Sequence, residues 1–495
     1  MKKQVTASML YNLLVCPHRV TMDLFGDLSK QDESNPFVEL LWEKGSMFEK
    51  EVIEGLQIPF LDLSMYAGEE SERLTLEAMG RGESLIYSGR IQDGNLLGIP
   101  DLLRNEAGGY VVGDIKSGAG EEGPEDLSKP KKHYAVQLAL YTDILERKGL
   151  SGGRRGFIWD INSNEVTYDL MKSYGNRNPK TLWQDYEECL YKAISILEQG
   201  NQTVPAFSSV CKLCHWYSVC TKRLADEWDL TLIPELGRSK RDTMVDRISN
   251  IPELASMNPK NYILGKKTVF PGIGIDTLMK FHKRAKLQTS KNAKPLLHEP
   301  IELPDNNLEL FFDIEFDPMR DICYLHGFVE RYGLNNATKK FVYFFADEPT
   351  LESEKAAFTD ALHYLRKNQP CTIYYYSKYE RTIYRKLQEK YPDVCSSEEI
   401  EKIFNPSQAI DLYFDVVKKA TDWPTWDFSI KTLAKYLGFS WRDNDPSGAA
   451  SIEWFDKWVK SRDPQVRKRI LEYNEDDCIA TCVLLDGINQ LKSNN

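Results

Sequence analysis

Four kinds of sequence are missing from this chain of 495 residues. No run of about 18 apolar residues is present, so we expect no membrane-spanning helix and no membrane partner. The first twenty residues lack an apolar core with a small-residue cleavage site, and we interpret them as mature protein rather than a signal peptide. No GxxxxGK[ST] motif indicates a helicase motor. No GxGxxG follows a predicted strand, which argues against a metabolic enzyme with a Rossmann site.

Positive charge is in deficit overall but concentrated in one region. The chain has 63 Lys and Arg against 74 Asp and Glu, a net charge of −11, which at first argues against a nucleic-acid partner. Residues 237–294, however, contain 13 basic and 4 acidic side chains, so this region carries +9 and the remainder −20. A basic region between acidic flanks is typical of a polyanion-binding segment. A solvated, lysine-rich linker is the alternative.

The patterns of apolar residues divide the chain into three parts. Helical and strand-like patterns alternate in residues 1–222 and again in 301–495, which predicts an α/β fold for both. Residues 223–300 have a helical, basic pattern interrupted by Gly and Pro. In the last part, the apolar run LELFFDIEFD at 308–317 predicts the first of three neighbouring strands. We therefore expect an α/β protein of three domains with these boundaries.

The ten cysteines fall into two groups. Without a signal peptide, a disulfide framework is not expected, and six cysteines in apolar or helical stretches should be buried: Cys189, Cys323, Cys371, Cys395, Cys478 and Cys482. Cys211, Cys214 and Cys220 lie together in VCKLCHWYSVC, and Cys16 lies far upstream. Three clustered thiolates suit a metal centre with soft ligands and a fourth ligand from elsewhere. A zinc site and unrelated thiols are alternatives, because spacing alone does not distinguish iron–sulfur from zinc.

Two carboxylates and a lysine lie on neighbouring predicted strands of the first part. Asp101 is in GIPDLLR, and Asp114 and Lys116 are in VVGDIKSG. Residues two apart in a strand point to the same face of a sheet, so Asp114 and Lys116 share a face. The carboxylates can hold Mg²⁺ or Mn²⁺, and the lysine can stabilise charge at a scissile phosphate. The alternative is an ion pair within a sheet, because D-x-K alone is a weak signal.

Two pairs on predicted helices extend this pattern. Gln137 and Tyr141 are four residues apart, one turn along one helix face. Gly45 and Glu49 have the same spacing upstream. Together with the acids and the lysine, these motifs resemble the RecB-like branch of the PD-(D/E)XK nuclease superfamily over about residues 1–220.

This resemblance implies a restriction-endonuclease-like domain with defined site residues. Asp101 and Asp114 correspond to metal ligands and Lys116 to the catalytic lysine. Gln137 and Tyr141 correspond to the QxxxY motif of the family.

Two other features of this branch bear on the ligands. Many members have His where this chain has Glu49, and we retain Glu49 as a metal ligand because a carboxylate also binds Mg²⁺ or Mn²⁺. In the iron–sulfur members, one cysteine precedes the nuclease core and three follow it. The resemblance therefore implies a [4Fe–4S] cluster that joins the ends of the domain, with the ligands Cys16, Cys211, Cys214 and Cys220.

The basic region contains a glycine turn before a helical pattern, in FPGIGIDTLMKFHKRA. The turn includes Gly272 and Gly274 and looks like a helix–hairpin–helix element, in which backbone N–H groups at a helix N-terminus bind a phosphate oxygen. Lys280, Lys283 and Arg284 would add positive charge for DNA. The alternative is an ordinary glycine-containing turn in a linker.

A second acidic group lies in the last part. Asp313 and Glu315 are two apart at a predicted strand end, and Tyr473 and Asp477 are one turn apart before an apolar helix. Such acids can clamp two metal ions that activate water, with the tyrosine orienting that water. Common surface acids and a charge cluster at a helix N-terminus are the alternatives.

These motifs resemble the ribonuclease-H-like, DEDD-type 3′–5′ exonuclease fold over about residues 305–490, with the YprB-type group as the nearest match. Asp313 and Glu315 correspond to the first exonuclease motif, and Tyr473 and Asp477 to the third. The second motif normally supplies Asp. Glu380 is the candidate here, and Asp411 is the alternative.

The order of the three parts resembles a family of bacterial and archaeal RecB-like nucleases. We therefore expect a cytoplasmic, metal-dependent nuclease, in the first instance an exonuclease on single-stranded DNA or DNA ends, with RNA as a further substrate. The rival hypothesis is a non-catalytic or singly active nucleic-acid-binding scaffold. Glu49 and Glu380 motivate it, since both depart from the commoner ligand.

Overall fold

The structure is a computed structural model, and it describes residues 4–123, 128–175, 179–199, 203–444 and 446–493. The chain forms two compact units, one of residues 1–205 with 209–220 and the other of residues 206–208 with 221–495. Both are mixed α/β structures. Within the described ranges, no helix combines the length and apolarity that crossing a membrane requires.

The first unit contains a six-stranded sheet and six helices. Its helices are α1 (Ala7–Val15), α2 (Pro17–Phe25), α3 (Pro36–Gly55), α4 (Gly68–Gly80), α5 (Lys132–Arg147) and α6 (Leu182–Gln199), and α7 (Tyr217–Asp226) contains the boundary at residue 220. Its strands are β1 (Val5–Thr6), β2 (Leu61–Asp62), β3 (Leu85–Tyr87), β4 (Ile91–Asp93), β5 (Leu96–Gly98), β6 (Leu102–Glu106), β7 (Gly109–Ile115), β8 (Glu121–Glu122), β9 (Lys129–Pro130), β10 (Ser151–Trp159), β11 (Glu165–Asp169), β12 (Ser173–Tyr174) and β13 (Lys180–Thr181).

Strand β7 lies in the middle of the six-stranded sheet, whose order is β11-β10-β7-β6-β3-β2. It pairs antiparallel with β6 and parallel with β10, and six of its seven residues are buried. Helix α5 is buried at every position from Ala135 to Leu145, as expected for a helix that packs between other elements rather than on a surface. Helices and strands thus alternate in the first part, as the sequence patterns predict, and α5 starts at Lys132.

The second unit contains a five-stranded sheet and most of the remaining helices. Its helices are α8 (Gly237–Met244), α9 (Ile251–Ser256), α10 (Ile275–Thr289), α11 (Leu351–Lys367), α12 (Tyr379–Lys390), α13 (Ser397–Ile403), α14 (Lys418–Ala420), α15 (Ile430–Tyr436), α16 (Gly448–Ser461) and α17 (Pro464–Ser493), with a π-helix at Leu412–Val417. Its strands are β14 (Ile263–Leu264), β15 (Lys267–Thr268), β16 (Leu296–Leu297), β17 (Leu308–Asp317), β18 (Ile322–Tyr332), β19 (Asn335–Phe345), β20 (Thr372–Tyr375), β21 (Ala409–Asp411) and β22 (Thr421–Asp422).

The sheet of the second unit has the order β19-β18-β17-β20-β21. Strands β17, β18 and β19 are antiparallel neighbours, and β20 and β21 continue the sheet in parallel. The prediction of three neighbouring strands is therefore confirmed. Strand β17 is buried along most of its length because it lies at the centre of the sheet, with helices against it.

The predicted middle part, 223–300, is largely helical as expected and has an apolar core of its own, which includes Leu230, Met244, Phe270 and Phe281. It belongs to the same compact unit as the five-stranded sheet. A buried ion pair joins the two, because Arg284 Nε on α10 donates to Asp422 Oδ1 at 2.8 Å.

Candidate active sites

The carboxylates of Asp101 and Asp114 lie side by side at the ends of two paired strands. Asp114 is on β7 and Asp101 directly precedes β6. The Ile115 N–H donates to Asp101 Oδ2 at 2.7 Å, and the Asp101 N–H donates to Asp114 Oδ1 at 3.4 Å. Burial, together with the Asp114 carboxylate, raises the pKa of Asp101 well above its usual value. The antiparallel pairing of β6 with β7 thus brings together two acids that are 13 residues apart.

Lys116 follows the last residue of β7 and pairs with the buried acid beside it. Its backbone N–H donates to Trp159 O at 2.9 Å, which continues the pairing toward β10. Its ammonium lies 2.9 Å from Asp114 Oδ2. Burial alone would lower the pKa of Lys116, but the carboxylates of Asp114 and Asp101 hold it above its usual value. The lysine therefore remains a cation at the site.

Glu49 approaches the same acids from helix α3. The Tyr87 hydroxyl donates to Glu49 Oε1 at 2.9 Å. After burial and the Asp114 charge, Glu49 also contributes to the raised pKa of Asp101, so the two carboxylates are close enough to interact. Gly45, one turn earlier, faces Ser117. A Cβ at Gly45 would be 3.8 Å from Ser117 Oγ, an ordinary van der Waals contact.

The two residues of the predicted QxxxY motif have different surroundings. Tyr141 packs against Gly98 so closely that a Cβ at Gly98 would be 2.6 Å from its ring. Burial and the nearby charges of Asp114 and Asp101 raise the pKa of Tyr141. Gln137, one turn earlier, donates from Nε2 to the His133 carbonyl of its own helix at 2.9 Å. Tyr141 therefore lies beside the acids, whereas the amide of Gln137 is bonded along the helix.

The four cysteines that we expect to bind a cluster, Cys16, Cys211, Cys214 and Cys220, are partly exposed, whereas the other six are buried as predicted. Cys16 lies between α1 and α2, and Cys220 is on α7. The Cys214 N–H donates to the Cys211 carbonyl at 3.0 Å. Burial raises the pKa of Cys214, and the nearby thiols of Cys16 and Cys211 add to that rise.

Helix α2 is bonded to the segment that contains the later cysteines. The Trp216 Nε1–H donates to Asp23 Oδ1 at 2.7 Å, and His215 Nε2 lies 2.7 Å from the same oxygen. A little further on, the Ser218 N–H donates to Asp32 Oδ2 at 2.8 Å. Two stretches of chain about 190 residues apart are thus held together next to Cys16 and Cys214.

The second acidic group is more compact. Asp313 and Glu315 are on β17, Asp477 is on α17, and one ligand atom from each lies within 4.8 Å of the others. Among the residues that the structure describes, this is the single group of three or more His, Cys, Asp or Glu side chains that meets this limit. Burial and the neighbouring Asp477 charge raise the pKa of Asp313, and the same two causes raise the pKa of Glu315 to about 8.

Asn474 holds Asp313 in position and was not singled out from the sequence. Its Nδ2–H donates to Asp313 Oδ2 at 2.7 Å. Gly327 pairs with Asp313 across β17 and β18, and a Cβ at Gly327 would be 1.6 Å from Asn474 Oδ1. Only glycine therefore leaves space for the amide. The sequence signal was the position of Asn474 inside the YNEDD string.

Two further side chains that were not singled out from the sequence contact Asp477 and Tyr473. The Trp441 Nε1–H donates to Asp477 Oδ1 at 2.7 Å. Lys431, on α15, donates to the Tyr473 hydroxyl at 2.7 Å and lies 3.7 Å from Asp477 Oδ2. Tyr473 is thus held beside Asp477 by a cation.

Of the two candidates for the fourth acid, Glu380 is the one coupled to the group. It lies in the first turn of α12, and its charge contributes to the raised pKa of Asp313. Burial and then the Asp411 and Asp477 charges raise the pKa of Glu380 to about 8. Asp411 instead accepts from the N–H groups of Tyr413 and Phe414 as the cap of the next helix.

The glycine turn of the basic region has the geometry that its sequence requires. Gly272 has a φ of +76°, a conformation that L-residues other than glycine rarely adopt, and Gly274 caps the N-terminus of α10. Lys280 is bonded to Glu235 at 2.7 Å, and Lys283 lies 3.5 Å from Asp422. Arg284 is fully buried and cannot contact nucleic acid at the surface, in contrast to the exposed position that we expected. Its role is structural instead, because it pairs with the buried carboxylate of Asp422 and with Glu235.

Comparison with known families assigns a class to each unit. Residues 30–221 match the PD-(D/E)XK nuclease superfamily (PDDEXK_1), and residues 310–489 match the RNase_H superfamily (RNase_H_2). The two predicted folds are thereby confirmed. Two nuclease-family domains in one chain point to a metal-dependent, hydrolytic nuclease that binds nucleic acid. No curated protein matches the chain.

Proposed function

We propose that this protein is a metal-dependent exonuclease that hydrolyses phosphodiester bonds of DNA in nucleic-acid processing or repair, with RNA as a further substrate and the cytoplasm as its location. The observation that carries the proposal is the convergence of Asp313, Glu315 and Asp477 within 4.8 Å in an RNase H-like domain. Buried carboxylates this close repel one another unless a cation lies between them. The donor set therefore fits Mg²⁺ or Mn²⁺, which prefer oxygen ligands.

In the RNase H-like domain, the proposed ligands are Asp313, Glu315, Asp477 and, as the fourth, Glu380. A bound divalent ion supplies Lewis-acid stabilisation of phosphoryl charge and an activated water. Hydrogen bonds from Asn474 and Trp441 orient two of the carboxylates.

Tyr473 has a separate role in this proposal. Its hydroxyl accepts a hydrogen bond from Lys431 and is also hydrogen-bonded to the Asp477 side chain, so the phenol is held next to a proposed metal ligand. This position supports a role in orienting the attacking water.

The PD-(D/E)XK domain would use a smaller set around Asp101 and Asp114. Glu49 is the proposed third metal ligand, supported by its electrostatic effect on Asp101. Lys116 stabilises charge at the scissile phosphate because it stays protonated. Tyr141 and Gln137 complete the proposed site, and the position of Tyr141 beside both acids supports its role.

We also propose that Cys16, Cys211, Cys214 and Cys220 hold a [4Fe–4S] cluster, with zinc as the alternative. The effect of the Cys16 and Cys211 thiols on the pKa of Cys214 supports the grouping. The hydrogen bonds that join Asp23 and Asp32 to the 215–218 segment support it as well. The anaerobically purified protein should be brown with a broad visible absorption band. A colourless protein with stoichiometric zinc would contradict the cluster.

The decisive experiment compares single variants of the two sites in one nuclease assay. End-labelled single- and double-stranded DNA and RNA are incubated with Mg²⁺ or Mn²⁺ and with wild type, Asp313→Asn or Asp114→Asn. We expect Asp313→Asn to lower the rate of end-directed cleavage by about a thousandfold, because it removes a ligand charge where phosphoryl charge develops. Asp360→Asn, which changes the same charge on α11, is the control.

The assay also tests the second candidate, a singly active protein whose first domain only binds nucleic acid. The ammonium of Lys116 already neutralises Asp114 in the first site, and that observation favours this candidate. It predicts that Asp114→Asn leaves all cleavage intact. A wild-type protein that cleaves none of the substrates would contradict both forms of the proposal.

A further inference from the structure

A cavity of about 680 Å³ in the second unit is lined mainly by basic side chains. Helix α10 contributes Lys280, Lys283 and Lys286, and the short helix α14 and its start contribute Lys418 and Lys419. The lysines of α10 are three residues apart, so they lie on one face of the helix. Two elements that are about 130 residues apart in the chain thus present five ammonium groups to one cavity.

Ion pairs connect several residues of this cavity to Arg284 and Glu235. The guanidinium of Arg284 is fully buried, with Nε 2.8 Å from Asp422 Oδ1 and Nη1 3.0 Å from Glu235 Oε2. Glu235 also binds Lys280 at 2.7 Å and Lys418 at 3.0 Å. Burial opposes the charge of Glu235, but these cations lower its pKa to about 2. The lysines are therefore attached to a fixed frame rather than to a solvated linker.

The carboxylates of this frame are too few to neutralise the cations. Glu235 and Asp422 are two carboxylates against five lysines and Arg284, so a net positive charge remains. Lys286 and Lys419 in particular have no ion-pair partner among the residues that the structure describes. A concave surface with excess positive charge concentrates the field and attracts anions.

Aromatic contact and a further lysine extend the charge from this cavity toward the acidic group. The Phe414 ring lies close to two ammonium groups, with Lys418 at 5.2 Å and Lys378 at 4.6 Å from its centroid. Lys378 directly precedes α12, the helix of Glu380.

We propose that this cavity binds the phosphate backbone of the nucleic-acid strand whose end is cleaved at the carboxylates of the same unit. The proposal rests on the nuclease function proposed above. It differs from the glycine-turn mode of binding, since neither Gly272 nor Gly274 lines the cavity. Several lysines in one groove bind phosphate groups. Such groups can belong to a nucleic-acid strand or to a free phosphate compound.

The test measures binding without hydrolysis. The full-length protein in EDTA is titrated against fluorescein-labelled single-stranded DNA and RNA at several salt concentrations, and inorganic pyrophosphate is the competitor. The variant is Lys286→Gln with Lys419→Gln, because neither lysine is needed for an ion pair. The control is Lys367→Gln with Lys402→Gln, which removes the same charge from exposed residues that do not line the cavity. Melting temperatures check that both variants are folded.

We expect the cavity variant to bind the oligonucleotide about tenfold more weakly at 0.1 M salt than the control. Its log–log salt slope should fall by about 1.4, for two lost contacts to a single strand. Equal affinities and slopes in the two variants would overturn the proposal. Loss of pyrophosphate binding with unchanged oligonucleotide affinity would also overturn it, in favour of a free phosphate compound. A wild type that binds the strand through these lysines but cleaves nothing would refute the nuclease function alone.

Discussion

Both acidic sites of this chain place several carboxylates where little solvent reaches them, but the two sites differ in how that negative charge is compensated. In the PD-(D/E)XK domain, the ammonium of Lys116 lies 2.9 Å from Asp114 and compensates part of the charge. In the RNase H-like domain, ligand atoms of three carboxylates lie within 4.8 Å of one another, and the ammonium of Lys431 is 3.7 Å from Asp477 Oδ2 and bonded to Tyr473. The negative charge of the first site is therefore partly compensated by a direct ion pair, whereas three acids of the second lie together with a more distant lysine.

The lysines of the two proposed metal sites therefore have different contacts. Lys116 is paired directly with Asp114 and stays protonated there. Lys431 is bonded to the tyrosine of the other site and lies farther from its acids, 3.7 Å from Asp477 Oδ2. We expect the RNase H-like site to respond more strongly to the loss of divalent ions.

The largest expected effect concerns the amide that orients Asp313. Asn474→Ala should raise the Mg²⁺ concentration for half-maximal cleavage by about 10- to 100-fold, because the carboxylate loses the partner that holds it. Asn306→Ala is a matched control, since that amide bonds Thr372 at the other end of the sheet. The measurement is a metal titration of activity beside a thermal melt. If Asn474→Ala changes the melting temperature but leaves the metal titration unchanged, Asn474 contributes to packing and not to metal binding.

A glycine beside each site allows a second comparison. Gly327→Ala should destabilise the protein by about 1–3 kcal/mol, because its Cβ would overlap Asn474. Gly45→Ala, next to Glu49, should be neutral or slightly stabilising, since its Cβ meets only Ser117 Oγ at 3.8 Å within a helix. Urea unfolding of both variants measures the difference. Similar unfolding free energies for both would contradict the close packing at Gly327.

The smallest effect tests the charge balance itself, in EDTA. Asp313→Asn should stabilise the metal-free protein by about 1 kcal/mol, because it removes one of several like charges. Asp114→Asn should destabilise it by a similar amount, since Lys116 would lose its partner. Differential scanning calorimetry of the two variants gives the two signs. A change in stability of the same sign in both variants would contradict the difference in charge balance between the two sites.

The sequence predicted the features of these sites that depend on local spacing. Alternation along a strand put Asp313 and Glu315 on one face of β17, and helical spacing put Tyr473 and Asp477 on one side of α17. The run of apolar residues at 308–317 coincides with β17 from its first residue to its last. These predictions were reliable because a single element determines them.

Contacts between distant elements could not be obtained in this way. The bond from Asn474 to Asp313 requires glycine at 327 on a different strand, and no local pattern reports that requirement. Arg284 was expected at the surface because the residues around it are basic. It is buried instead, in an ion pair with Asp422, which lies 138 positions away in the chain. The choice between Glu380 and Asp411 likewise depends on which helix start faces the other acids.

By itself, the sequence determined the alternation of helices and strands and the location of the positive charge, since these follow from residue type and periodicity. The two nuclease-like folds and the candidate ligands came from the resemblance of its motifs to known families. Tertiary structure alone decided which acids form a compact group and which lysines share a cavity. Electrostatic interactions between side chains act over a few ångströms, and only the folded chain brings residues of distant sequence position within that range.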